Sequence, residues 1–501
     1  MRSLISTIPT IYLSVTPSKT FSFSLLSGAK KMSSKTMQAS FEHRIGDIVQ
    51  LPGGVTSVNH IFHLPLNWDQ SEDSDTIEVV ARELFNTQIS RTSQLPYLLY
   101  LQGGPGYPSP RYTGSGDWIS YALKLYRVIL LDQRGTGRST AVTSASLQKI
   151  GDPELQARYL SHFRADSIVR DCEEIRKKLE SLNESDRDEV EIKWTILGQS
   201  YGGFCLTTYL SMFPESVEFG LFTGGIPPLR SIDDVYRATF RRCAERNRKF
   251  YGRYPDDISK VRKIVKYLDD CGGAELPTGG LLSPQRFLQL GIILGQKAGS
   301  EMLHYLLEEA WEDETLSYAF LRSVENMSGF ETNPIYALLH ESIYMYGKNS
   351  TSKSNWSASR MLDEIKGENE FIFFDWKRML SEQNDSSIYF TGEMIFPWMF
   401  EGDYKLLEPL KEVAHALAKK SDWGELYSAG NLSKANVSCA GIVYYDDMYV
   451  EREFSEELSR LLPDCKIWVT NEYQHSGLRD DGVKIFKTLL GMIRDDAGIP
   501  S

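Results

Sequence analysis

The chain has 501 residues, 41% of them hydrophobic and 12% aromatic, and a formal charge of −12. That length can bury a large core, as two or three domains or as one large domain carrying an insertion. The acidic balance argues against a nucleic-acid groove or an anionic membrane surface, which need clustered Lys and Arg, and no apolar run approaches the roughly 18 residues of a membrane-spanning helix.

The six cysteines (Cys172, Cys205, Cys243, Cys271, Cys439 and Cys465) are dispersed, with no Cys-x-x-Cys pair. They read as reduced thiols, and no metal or cofactor is expected.

In chain order, residues 1–40 stand apart. They carry Arg2, Lys19, Lys30, Lys31 and Lys35, many Ser and Thr, and no acid before Glu42. This is the composition of a transit peptide for a chloroplast or another organelle, the plainer alternative being a disordered tail; a start at Met32 would leave a cytoplasmic form.

From Arg44 to Asn86 short strands separated by turns predict an antiparallel beginning, with Glu78 to Leu84 as one strand. Pro96 to Leu101 is continuously apolar, as a strand buried on both faces is, and Arg127 to Leu131, apolar from Val128 onward, is a second such strand. The first ends in Gly103-Gly104-Pro105-Gly106 and the second in Asp132-Gln133-Arg134-Gly135-Thr136-Gly137-Arg138-Ser139. A charged helix over Ser167 to Leu182 leads to a strand, Ile192 to Leu197, which turns into a helix, Phe204 to Met212.

After the strand Phe219 to Thr223, strand signals nearly vanish between Pro228 and Phe400, where amphipathic stretches such as Val235 to Tyr251 and Ser283 to Leu294 predict helices. Strands resume at Ser438 to Tyr445 and Cys465 to Thr470, around a helix from Glu453 to Leu462. The predicted class is α/β, with a mostly parallel sheet interrupted by a helical cap. Core residues are expected over 41–228 and 402–501, and the cap over 229–401.

The turn between the strand at Ile192 and the helix at Phe204 carries the chemistry. Gly198-Gln199-Ser200-Tyr201-Gly202 is a Gly-x-Ser-x-Gly elbow, which presents Ser200 at a helix N-terminus. A serine hydroxyl needs a histidine base, and the histidine needs a carboxylate, in the chain order Ser, acid, His. Only His475 follows a late strand. His43, His60 and His63 precede the main sheet, His304 and His340 fall in the helical insertion, and His415 lies within a helix. The acid is Asp447 or its neighbour Asp446, both just past the strand that ends at Tyr445, with Asp447 preferred. Backbone N–H groups of Tyr201 and Gly104 are the candidate oxyanion donors. A P-loop is excluded because no Gly-Lys-Ser/Thr follows the glycines, and Gly135-Thr136-Gly137 lacks the third glycine of a dinucleotide fingerprint.

Taken together, Gly-Gly-Pro-Gly, Asp-Gln-Arg-Gly-x-Gly-x-Ser, the double-glycine elbow, Asp-Met-Tyr-Val and His-x-Gly-Leu-Arg resemble the proline iminopeptidases, serine peptidases of the α/β-hydrolase fold. The chain departs at Gln102, where many members have His before the Gly-Gly-Pro-Gly loop. The resemblance implies a serine aminopeptidase acting through an acyl-enzyme on small peptides, with proline as the first choice of N-terminal residue. It also implies cap carboxylates for the substrate amine, nominating Glu341 and, after it, Glu393. An esterase or amidase with the same residues, or a non-catalytic ligand receptor, remains open.

Overall fold

The computed structural model describes residues 41–494 except 71–73, 91–94, 115, 184–190, 348–350 and 383–385. The transit-peptide expectation for residues 1–40 lies outside the described residues.

Nine strands form one sheet: β1 (His43–Leu51), β2 (Val55–Pro65), β3 (Thr76–Asn86), β4 (Tyr97–Leu101), β5 (Arg127–Asp132), β6 (Trp194–Gln199), β7 (Val217–Thr223), β8 (Ser438–Tyr444) and β9 (Cys465–Thr470). Their spatial order is β1-β2-β3-β5-β4-β6-β7-β8-β9. The first three strands form an antiparallel meander whose last member also pairs antiparallel with β5; every later pairing is parallel. The central strands are apolar at nearly every position because each face meets its own core. Leu98, Leu130, Leu197, Leu221 and Ile442 point to one cluster, and Leu99, Ile129, Ile196, Phe222 and Val443 point to the other. This is the period-two alternation of a strand with helices on both sides.

One cluster is closed by α1 (Trp118–Ala122), through Trp118 and Ile119, and by the C-terminal helix through Ile485 and Phe486. The other is closed by α2 (Ala165–Asn183) and α3 (Tyr201–Met212).

Between β7 and β8 lies the helical insertion. It opens with α4 (Ile232–Arg253), whose N-cap Ser231 accepts the Asp234 N–H, and includes α5 (Pro334–Leu339) and α6 (Ser357–Ile365). Two hairpins of two-residue strands, at Ala274–Glu275 with Leu281–Leu282 and at Trp311–Glu312 with Thr315–Leu316, are too short to leave a strand pattern in the sequence. The stretch from 402 to 437 holds no strand. Its helix Lys411–Lys419 packs on the helix Pro153–Leu160, and the sheet resumes only at Ser438.

One predicted helix is corrected. Ser283 to Leu294 reads as continuous, but the α-helix covers only Pro284–Leu288 and is followed by 3₁₀ winding over Gln289–Gly295. The cause is tertiary: the Ile292 carbonyl accepts the Tyr449 hydroxyl, and the Gly295 carbonyl accepts the His475 N–H at 3.2 Å. Carbonyls drawn toward outside donors favour the tighter i to i+3 pattern, seen where Gln296 N–H donates to Ile293. The chain closes with α7 (Gly482–Arg494), the helix that carries Ile485 and Phe486.

Candidate active site

Ser200 sits between β6 and α3 with φ +53° and ψ −124°, a sparsely populated conformation for a side-chain-bearing residue. It persists because its surroundings fix it. The Ser200 N–H donates to Thr223 O at 3.0 Å, and Gly202 passes so close to β4 that a Cβ there would lie 1.9 Å from the Leu101 carbonyl oxygen. Only glycine fits at that crossing.

His475 follows β9, and its Nε2 stands 2.9 Å from Ser200 Oγ. Its Nδ1 stands 2.8 Å from Oδ2 of Asp447, which follows β8. The other oxygen of Asp447 accepts the N–H groups of Tyr449 (2.9 Å) and Val450 (3.2 Å), so the buried carboxylate is held by three hydrogen bonds. An ionised carboxylate only accepts, so Nδ1 must donate to it; Nε2 is then left to accept the Ser200 proton. This arrangement can generate a nucleophilic alkoxide and return the proton to a leaving group.

Asp446, the competing acid, is turned away. It is partly exposed and pairs with Lys249. Burial pushes its carboxyl up, but the Lys249 hydrogen bond and charge, with Arg246 and Arg242, outweigh this and hold it below the usual range. Asp447→Asn is therefore expected to lower kcat on the order of 10⁴-fold, by favouring the wrong imidazole tautomer, and Asp446→Asn by less than about threefold. Steady-state kinetics on one substrate checks this, and the reverse ranking would move the acid to Asp446.

The Gly-Gly-Pro-Gly loop lies against the elbow. A Cβ on Gly103 would come within 2.9 Å of Ser200 Cβ, and Gly104 follows with φ +135°, a conformation open to glycine. Tyr201 is the first residue of α3, whose first N–H groups have no intrahelical acceptor. Among the described residues no protein acceptor takes the N–H of Gly104 or of Tyr201. Gln102 keeps the loop anchored without a histidine: its side-chain oxygen accepts the Tyr100 hydroxyl at 2.8 Å, and its carbonyl accepts Gln133 Nε2 at 3.0 Å.

The Asp132 to Ser139 motif is a brace. Asp132 takes both Arg111 nitrogens (2.8 and 2.6 Å) and the Ser109 and Arg138 N–H groups. The buried Arg134 forks onto Asp171 at 2.7 and 2.6 Å and donates to the carbonyls of Pro65, Leu66 and His162. Each guanidinium bond there is charge-assisted, and together they tie the loop after β5 to β2 and α2.

A family profile described as the α/β hydrolase fold matches residues 96–253. A proline iminopeptidase of Aeromonas sobria is 44% identical over 443 residues, which is 88% of this chain and 97% of the relative. The chain belongs to the proline iminopeptidase family. A second relative, a proline iminopeptidase of Aspergillus aculeatus, is 34% identical over 89% of this chain and 95% of its own length. A solved proline iminopeptidase structure from Mycobacterium smegmatis aligns over 87% of this chain and 99% of its own, at 12% identity and a TM-score of 0.36.

In this member of the family both nominated glutamates neighbour His340: Glu341 follows it in the chain, and the imidazole Nε2 stands 3.6 Å from Glu393 while its Nδ1 stands 3.1 Å from the Tyr236 hydroxyl. Glu341 spends one oxygen on α6, accepting the Ala358 N–H at 3.1 Å, which satisfies a first-turn donor of that helix. Burial pushes its carboxyl up, against the Ser354 hydroxyl, the Ala358 N–H, His340 and Arg360.

Glu393 faces tyrosines instead. Burial first, and then the Glu393 charge, holds the phenols of Tyr336, Tyr344 and Tyr449 well above their usual value. Tyr449 in turn packs edge-on against His475, with ring centroids 4.7 Å apart. Among the described residues neither glutamate forms an ion pair with Lys or Arg. Sequence reasoning missed the role of Tyr449, which touches His475 by its ring, Asp447 by its N–H and the insertion by its hydroxyl. Its place in Asp-Met-Tyr-Val was the available signal.

Proposed function

We propose that this chain is a serine aminopeptidase that releases an N-terminal residue, proline above others, from small peptides. The observation that carries the reading is the 44% identity to the Aeromonas sobria proline iminopeptidase across 97% of its length. The geometry supports the steps. Ser200 Oγ attacks the first peptide carbonyl while His475 Nε2 takes its proton. The oxyanion that forms is received by the N–H groups of Gly104 and Tyr201. As the C–N bond breaks, its electron pair goes to nitrogen, which takes the proton from His475. Water, activated by the same imidazole, then hydrolyses the acyl-enzyme.

What separates an aminopeptidase from an esterase on this scaffold is a place for the substrate ammonium group. A buried ammonium is costly unless paired. Glu393 and Glu341 are buried, and among the described residues neither has a Lys or Arg partner; we assign the amine to Glu393 first because Glu341 already accepts the Ala358 N–H. Among the described residues no helix is long and apolar enough to cross a membrane, and no group of acidic, His and Cys side chains could hold a metal.

A panel of aminoacyl arylamides and simple esters tests the function. The prolyl arylamide is expected to give the highest kcat/KM, and a panel in which only esters turn over would overturn the reading.

A further inference from the structure

Beside His475, on the side of the sheet covered by α1 and α7, a cavity of about 460 Å³ opens between the Gly-Gly-Pro-Gly loop and the turn that leads into α7. His475, Gln102, Gln199, Trp118 and Arg479 line it. Its lining does not include Glu341, Glu393 or the tyrosines around them, so it is distinct from the proposed amine site.

Its charges are unequal in what they are free to do. Asp117 accepts the Ser120 N–H and hydroxyl, both at 2.9 Å, Asp480 accepts the Ser476 hydroxyl at 2.6 Å, and Asp481 accepts the Tyr473 hydroxyl at 2.9 Å. Arg479 is exposed, and among the described residues it forms no ion pair and no side-chain hydrogen bond. It lies four residues past His475, with its own N–H donated to Ser476 O at 2.7 Å.

We infer that this cavity is the leaving-peptide subsite and that Arg479 reads the C-terminal carboxylate of short substrates. The inference rests on the aminopeptidase reading. In that reaction the departing nitrogen must face His475 Nε2, since that atom supplies its proton, so the rest of the leaving peptide extends from His475 away from the amine site. A cleft lined by both the imidazole and an unengaged guanidinium matches a short peptide, with its new amine at His475 and its carboxylate on Arg479. A guanidinium binds a carboxylate with paired, charge-assisted bonds, whereas a peptide amide in the same place would leave that charge unanswered.

The experiment compares prolylglycine, its C-terminal amide and a prolyl arylamide as substrates of the wild type, Arg479→Gln and Arg479→Lys. Arg479→Gln is expected to lower kcat/KM for prolylglycine by up to about fivefold, mainly through KM, while the amide and arylamide change by less than about 1.5-fold. Arg479→Lys is expected to recover part of the loss. Equal losses on all three substrates, or none on prolylglycine, would overturn the subsite. Calorimetric titration with glycylglycine and its amide reads the cleft without turnover: the wild type is expected to prefer the free carboxylate and Arg479→Gln to lose that preference. Carboxylate-dependent binding without prolyl turnover would reject the aminopeptidase function and keep the subsite; prolyl turnover without that preference would do the reverse.

Discussion

Ser200→Ala and His475→Ala are each expected to lower kcat by on the order of 10⁴- to 10⁶-fold, and the double variant by no more than the worse single one. Nucleophile and base act as a unit, so removing either removes the proton transfer that the other needs, and what persists is binding and oxyanion stabilisation. The fold is expected to be indifferent to the serine change. Alanine keeps the Cβ, and with it the strain at φ +53°, and the hydroxyl's recorded hydrogen bond is to His475. A thermal midpoint within about 2 °C of the wild type, alongside lost turnover, separates chemistry from folding. His475→Ala removes a buried ring packed against Tyr449 and bonded to Asp447, so some stability is expected to go with it. Ser200→Ala with more than about a hundredth of wild-type kcat would remove Ser200 from the nucleophile role.

The sequence made the sheet legible where burial was two-sided. Tyr97 to Leu101 and Val128 to Leu131 are apolar without interruption because adjacent residues feed different cores, and no helix of ordinary length on a surface has that pattern. Ser200, Asp447 and His475 were legible for a topological reason: each lies just past the end of a strand, and parallel strands bring their carboxyl ends to one edge.

What was not legible depended on partners distant in the chain. The 3₁₀ turn at Gln289 to Gly295 is set by donors on Tyr449 and His475, far along the sequence. Glu341 and Glu393 are equivalent as letters. Only the structure shows that Glu341 holds the start of α6 while Glu393 stands by the His340 imidazole. Arg479, one residue of the His-x-Gly-Leu-Arg motif, stands out only once its neighbours are seen to be paired and it is not.

That difference between the glutamates sets the second large expected effect. A free prolyl arylamide is expected to be cleaved far faster than its N-acetylated counterpart, because the blocked substrate has no charge for the carboxylates and adds bulk. Glu393→Gln is expected to cost free-amine substrates about 2 to 5 kcal/mol of transition-state stabilisation, the usual result of removing one partner of a buried charge pair. Simple esters without an amine are expected to lose far less, since their chemistry uses Ser200, His475 and the oxyanion donors alone.

Glu341→Gln differs in kind. Its amide oxygen can still accept the Ala358 N–H, so α6 survives, and any loss on free amines then measures the second carboxylate's charge alone. The burial that raises the Glu341 carboxyl gives this a pH signature with a definite sign. A carboxyl whose folded pKa lies above its unfolded value favours the folded state at low pH, and that contribution is lost as pH rises through the raised value; Glu341→Gln removes this dependence. Denaturation midpoints of wild type and variant across pH 4 to 8 are therefore expected to converge at the acid end and to favour the variant at the neutral end. Loss of free-amine activity with Glu341→Gln but not with Glu393→Gln would move the amine to Glu341. Equal cleavage of free and blocked arylamides by the wild type would leave a serine hydrolase without an amine site.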